Sequence, residues 1–465
     1  MFWKKDPNKK YKTIAIKLDN VGKGFCLAKW HHVSMHLHTG DNHSCYHPSM
    51  HRVSLEELEK NPSALHNSEF KKQQRKTMLE GGRPDECSYC WAIEDLPGNH
   101  ISDRHLRSLE FEENSPSIDQ VSKLDWQADV YPRYLEINFG SECQMKCAYC
   151  APSISTAWES EIRKHGDYPL VDFRNRMQYH VNNKKRDVWI YKEEGNPYID
   201  AFWKWFPDAY PNLQTLRVTG GEPLLSRNVF KVLEYIDANP RPDLQFSVNS
   251  NMSIPERNLN KFIEFAKKLK AENKVKEFML YTSVDTWGPQ AEYIRNGMDL
   301  AKWESNIDKY LNEVPDSYVG LMITVNFLSI PNFHKLLDKI LELRKKYNTR
   351  FKKRISFDTP YLLEPCHLSL QILDDERLAM FNDALTYMKK YQSNFDLFKF
   401  TNEEVAKVER VVRWVEQNRF KDSTLLTHRK DFQLFIDEHD KRRGTNFLET
   451  FPELTDFYNL CKSIN

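Results

Sequence analysis

Between about residues 131 and 365, short apolar runs alternate with longer amphipathic ones. Leu135, Ile137 and Phe139 alternate with Glu136 and Asn138, the period-two pattern of a strand with two unlike faces. Phe246 and Val248 do the same against Ser247 and Asn249. The pattern predicts strands over residues 134–139, 215–219, 245–249, 277–284, 321–327 and 354–358, with helices such as 258–271 and 332–347 between them. Alternating strands and helices imply a parallel sheet with helical crossovers. Six such units predict an α/β fold, a partial (β/α)6 version of the eight-stranded TIM-like barrel, and by itself that fold says nothing about chemistry.

The flanks read differently. Residues 1–115 are rich in cysteine and histidine and are predicted to form a small separate domain, joined through a polar, linker-like stretch at 112–120. The barrel is expected over 131–365, and 366–465 is expected to be a helical extension. In that tail Val405, Val408, Val411, Val412 and Val415 recur at helical spacing, and 430–440 continues in the same style.

Charge narrows the partners. The formal net charge of +1 argues against a broad basic surface for nucleic acid. No apolar run approaches the roughly 18 residues that span a bilayer, which argues against a membrane partner. The first ten residues carry charge with no apolar core behind them, so they do not read as a signal peptide. A reducing, cytoplasmic setting follows as the expectation, and there disulfides are rare.

The nine cysteines then need another explanation. Cys26, Cys45, Cys87 and Cys90 form one group, Cys143, Cys147 and Cys150 a second, and Cys366 and Cys461 stand alone as expected small buried residues. Clustered thiols in a reducing compartment read as metal ligands, with zinc and iron–sulfur clusters the soft-ligand choices. The triplet Cys143-Gln-Met-Lys-Cys147-Ala-Tyr-Cys150 directly follows the first barrel strand, at the end of the sheet where such folds build active sites. Three thiolates on a [4Fe–4S] cluster would leave one iron open to a small molecule, whereas a structural centre is closed by four. A zinc site borrowing a fourth ligand is the alternative.

The Cys-x3-Cys-x2-Cys spacing, with Tyr149 before the last cysteine, resembles the signature of the radical S-adenosylmethionine (SAM) superfamily. Gly220-Gly221-Glu222-Pro223 ends the second strand and resembles the element that holds the amino group of SAM in that family. Ser250-Asn251 after the third strand is similar to the Thr-Asn of relatives. The resemblance further implies that Ser283 meets the SAM ribose and Arg295 its carboxylate, a role to which a guanidinium fork is suited. Thr324, Asn326 and Asp358 sit where they could face the same cavity. The implied chemistry is one-electron cleavage of SAM to methionine and a 5′-deoxyadenosyl radical, which takes hydrogen from a substrate. A reductant such as flavodoxin or ferredoxin would supply the electron.

Residues 21–95 resemble a second element. Cys26-Leu-Ala-Lys-Trp30, Gly40-Asp-Asn-His-Ser-Cys45 and Cys87-Ser-Tyr-Cys90-Trp are similar to the SPASM/twitch auxiliary-cluster domain. The resemblance implies a second, fully ligated [4Fe–4S] cluster assisting electron transfer, in the shorter twitch form because further cysteines are missing. It departs from the family in preceding the barrel rather than following it. A four-cysteine zinc knot is the alternative. His31, His32, His36, His38, His43, His47 and His51 crowd the same region; one of them could replace a cysteine ligand, but with four cysteines at hand they are expected to be surface residues.

The function expected is therefore a SAM-dependent radical enzyme acting on a small molecule or a peptide side chain, with no peptide-clamping winged helix evident. The rival is a zinc-stabilised, non-catalytic binding protein. The aromatic segment 189–205 could stack RNA bases, but packing is the simpler use for it.

Overall fold

The computed structural model describes residues 9–98, 100–115, 117–181 and 190–464. Residues 1–8 of the charged N-terminal stretch, Pro116 of the linker and Trp189 at the head of the aromatic segment lie outside the described residues. The strands, in chain order, are β1 (His32–His36), β2 (Asp41–His43), β3 (His51–Arg52), β4 (Tyr134–Asn138), β5 (Lys146–Cys147), β6 (Thr215–Thr219), β7 (Arg241–Ser250), β8 (Val275–Ser283), β9 (Arg295–Asn296), β10 (Tyr318–Met322) and β11 (Ile355–Asp358).

Five of the six strands expected from periodicity form within a few residues of their expected positions; the sixth, expected at 321–327, ends at Met322 instead. Beyond it Asn326 turns its side chain back to accept from the Leu328 amide, which a continuing strand could not accommodate. Strand β1 was not anticipated. Its Val33 and Met35 do alternate with His32, Ser34 and His36, but the histidines disguised it.

The chain divides into two compact units, and the division does not fall at residue 115. The first comprises Met1–Gly140, Trp189–Thr219 and Asp243–Phe246. Its strands run in the order β7-β6-β4-β1-β2-β3. Strand β1 lies parallel to β4, with His32 opposite Tyr134 and His36 opposite Asn138, and β4 is parallel to β6. This register sorts side chains by face. Val33, Met35, Leu135, Ile137, Leu216 and Val218 are at most 2% exposed and share one face. The other face carries His32, Ser34, His36, Tyr134, Glu136, Asn138, Thr215, Arg217 and Thr219, without an aliphatic side chain among them.

A separate core in this unit gathers Ile14, Leu18, Phe25, Leu27, Trp30, Met78, Phe111, Ile118 and Val121. Among the described residues of the aromatic segment Tyr198, Phe202 and Trp205 are buried, which answers to packing.

The second unit comprises Ser141–Val188, Gly220–Pro242 and Ser247–Asn465. Its strands run β11-β10-β8-β7, with β8, β10 and β11 parallel. Crossover helices cover them as the spacing requires: Leu259, Phe262, Ile263, Ala266 and Leu269 form one buried stripe of the helix Glu256–Ala271. The tail is helical, and the valine-striped helix Asn402–Asn418 buries all five valines. The helix foreseen at 430–440 is the middle of a longer one, Asp422–Arg443, closed by Gly444 in the left-handed conformation. Cys366 and Cys461 are buried, as expected. Among the described residues no helix is long and apolar enough to cross a membrane.

Candidate functional site

The loop 141–155 of the second unit carries Cys143, Cys147 and Cys150, and its carbonyls are held by side chains from several elements. Ser155, which caps the helix Thr156–His165, donates to the Met145 carbonyl at 2.7 Å. Trp158 Nε1 donates to the Cys147 carbonyl at 2.9 Å, and Tyr179 OH to that of Ala148 at 2.9 Å. Arg443, from the last turn of the long C-terminal helix, donates to the Lys146 carbonyl at 2.8 Å. Such a brace holds the backbone that carries the three cysteines.

The glycine-rich element packs onto this loop backbone to backbone. The Glu222 amide donates to the Glu142 carbonyl at 2.7 Å. A Cβ at Gly221 would stand 2.6 Å from that same oxygen, so only glycine fits there. Glu222 is itself buried and acts as an anchor. One of its oxygens accepts from the Leu224 amide at 3.0 Å and Ser250 Oγ at 2.9 Å, the other from the Asn251 amide at 2.6 Å. Burial pushes its carboxyl up to about 7 against the pull of these donors. Pro223 opens the short turn that follows, and Gly220 adopts a φ of 145°.

Asn251 closes the ring of contacts, its side-chain amide lying 3.9 Å from Cys143 Sγ. The Met145 amide approaches the same sulfur at 3.4 Å. Arg295 Nη1 lies 3.7 Å from Cys147 Sγ. Hydrogen-bond donors aimed at sulfur suit thiolates shared with a metal centre. Burial pushes the Cys143 thiol up to about 12 and raises Cys147 and Cys150 as well, so a metal taken up by these thiols would displace protons. Ser283 sits half-buried at the end of β8, opposite Met322. Arg295 is tied to Asp285 and Tyr149. Asn326 is spent on its turn, and Asp358 is half-exposed beside Lys407 at 3.1 Å.

The first unit has its own thiol site. Cys26, Cys45, Cys87 and Cys90 all line one cavity of about 410 Å3, its open mouth included, together with Lys29, His47, Asp103 and Arg104. Lys29 and Arg104 are nearly fully buried, and Lys29 pairs with Glu86. Ser108 Oγ approaches Cys26 Sγ at 3.8 Å. Burial pushes the Cys45 thiol up to about 11 and those of Cys87 and Cys90 up to about 12.

Among the described residues no three His, Cys, Asp or Glu side chains converge tightly enough for a single metal ion. In the first unit the four thiols line a shared cavity instead. The histidines here are not the surface residues expected: His31, His32, His38 and His43 are at most 8% exposed, packed against Phe111, Tyr46 and Tyr134 or against one another. Burial lowers His31 to about 3 and His36 to about 4, so both are neutral near pH 7.

Sequence reasoning missed Asp285 and Arg443. Each acts through a partner distant in the chain and carries no local signature.

In sequence the chain is similar to two enzymes of the radical SAM class. It is 25% identical over 223 residues to a GTP 3′,8-cyclase of Sulfurimonas denitrificans, a match covering 47% of this chain and 54% of that protein. It is 24% identical over 216 residues to a GTP 3′,8-cyclase of Syntrophomonas wolfei, covering 46% and 52%. The chain thus spans about half the length of the curated relatives it matches. The structure of Streptococcus suis SuiB bound to S-adenosylmethionine aligns over 74% of this chain and 65% of that one, at 14% identity and a TM-score of 0.35, too loosely to inform the site. No family model matches the sequence.

Proposed function

We propose that this protein is a radical SAM enzyme: Cys143, Cys147 and Cys150 hold a [4Fe–4S] cluster, and SAM binds beside it. The observation that carries the reading is the backbone contact between Glu222 and Glu142, which makes the cysteine loop and the glycine-rich element one surface. Bound there, the cluster supplies the electron that cleaves SAM to methionine and a 5′-deoxyadenosyl radical, which abstracts hydrogen from a small molecule or a peptide side chain.

The chain's own part is to bind and orient. Gly220 and Gly221 let the backbone approach a ligand closely, and Glu222 holds Ser250 and Asn251 at the rim. Ser283 stands at the neighbouring strand end for the ribose. Tyr149, which donates to buried Asp285 at 2.8 Å, helps wall the site from water.

The four thiols around the cavity of the first unit support a second, fully ligated [4Fe–4S] cluster of the twitch kind, assisting electron transfer. Lys29 and Arg104 would offset the charge of four thiolates. A reductant such as flavodoxin or ferredoxin and a reducing cytoplasm complete the reading.

The test is anaerobic purification, reconstitution with iron and sulfide, and assay of 5′-deoxyadenosine from SAM under dithionite. Two clusters give about eight irons per chain, falling to about four when Cys143, Cys147 and Cys150 become alanine, with SAM cleavage only in the parent. Zinc in both groups and no SAM cleavage would leave a metal-stabilised binding protein.

A further inference from the structure

Arg295 follows the short helix Pro289–Ile294 and begins β9, which pairs antiparallel with β5. In that pair Arg295 stands directly opposite Cys147. The backbone therefore delivers the guanidinium to this one thiol, since cross-strand partners share a face of the ladder. Nη1 lies 3.7 Å from Cys147 Sγ.

The rest of the fork is taken. Nη2 donates to Asp285 Oδ1 at 3.0 Å and to Tyr149 OH at 2.5 Å. Nε lies 2.9 Å from Asp285 Oδ2, an ion-pair distance, although off the line of a good hydrogen bond. Asp285 is fully buried, and it also accepts from Tyr149 OH at 2.8 Å and the Thr324 amide at 2.9 Å. Swinging Arg295 toward an incoming carboxylate would strand a buried anion without its cation, the costly way to break a buried pair. Asp285 and Tyr149 thus aim the guanidinium at the sulfur.

We propose that Arg295 is a positioning residue that sets the reduction potential of the cluster on Cys147, and does not bind the SAM carboxylate. The inference rests on the cluster reading above. A cation and an N–H donor beside a ligating sulfur favour the more negative, reduced cluster and raise its potential. Lysine would keep the charge but not the planar fork that reaches Asp285, Tyr149 and the sulfur together.

The test is an EPR-monitored redox titration of the full, reconstituted chain in the absence of SAM, for the parent, Arg295→Lys and Arg295→Gln. SAM affinity is measured in parallel on the oxidised proteins. The expected result is a midpoint shifted to more negative potential in Arg295→Gln, a smaller shift the same way in Arg295→Lys, and SAM affinity within about twofold of the parent. An unchanged midpoint with SAM binding weakened tenfold or more would overturn the proposal and make Arg295 a carboxylate ligand. If Arg295→Gln does not hold its cluster, Arg295→Lys and Tyr149→Phe decide: both shift negatively if the clamp matters, and two unshifted midpoints refute it. An EPR-silent parent that carries only zinc sinks the cluster reading itself, before any variant is compared.

Discussion

Glu222 and Glu142, from two separate motifs, meet through a backbone hydrogen bond of 2.7 Å, with Gly221 wedged against the same carbonyl. That contact leaves no room for a methyl group, which gives the most local test of the site. Gly221→Ala forces the cysteine loop and the glycine-rich element apart, at a cost of about 2 kcal/mol if the backbone yields. Iron should still be incorporated, while SAM binding should fall at least tenfold, as measured by isothermal titration on the anaerobic protein. Unchanged SAM affinity would mean that the two elements do not form one binding surface.

The Arg443–Glu161 pair makes a prediction about acid. The two side chains are 1% and 4% exposed, and Lys146 joins them at 2.6 Å. Burial pushes the Glu161 carboxyl up, but the hydrogen bonds and charges of Arg443 and Lys146 outweigh it and hold it at about 2. A carboxylate with a lowered folded-state pKa stabilises the fold fully above its ordinary value near 4.5 and loses that contribution as pH falls toward 2. Glu161→Gln should cost about 3 kcal/mol near neutral pH and flatten the loss of stability between roughly pH 5 and pH 3. Urea unfolding at both pH values checks it; parallel curves for parent and variant would refute it.

The two thiol sites lie in different units and should fail separately. Replacing Cys87 and Cys90 with alanine should remove about four irons per chain and leave the other cluster in place. Reductive SAM cleavage should persist while substrate turnover is lost. Simultaneous loss of both clusters would show instead that the cavity of the first unit is needed for the whole chain to fold.

Gly40 has a φ of 77°, and a Cβ there would sit 2.0 Å from the Tyr198 ring. Gly40→Ala should therefore lower stability by about 2 kcal/mol and, because Cys45 follows on the same hairpin, reduce iron in the first unit before the second. Iron counts on the background of the Cys143/Cys147/Cys150 triple variant report this directly.

Legibility followed the range of the forces involved. Strand β6 was readable because it alternates half-buried and buried residues within five positions, and β4 because apolar Leu135 and Ile137 alternate with polar Glu136 and Asn138 although most of the strand is buried. The cysteine triplet stood out in the sequence because Cys143, Cys147 and Cys150 lie within a single loop. Asp285 was not, because its meaning depends on a guanidinium ten residues on and a phenol from the cysteine loop. Arg443 reads as an ordinary basic residue at the end of a helix, and only the folded chain brings it to the Lys146 carbonyl. The buried histidines misled for a related reason: solvent exposure is a property of the fold, and their composition suggested the opposite.

Strand β1 lies parallel to β4, and parallel neighbours need a long connection between them. Here the connection is the segment 37–133, which contains Cys45, Cys87 and Cys90. Three of the four thiols around the cavity are thus strung along a single crossover, and Cys26 lies just ahead of the strand that starts it. The N-terminal region is accordingly no detachable bead. A chain cut after residue 115 would lose a strand and leave β4 with a raw edge open to foreign pairing. Anyone dissecting this protein should expect the fragment that begins after residue 115 to aggregate, and should probe the cavity by substitution in the intact chain.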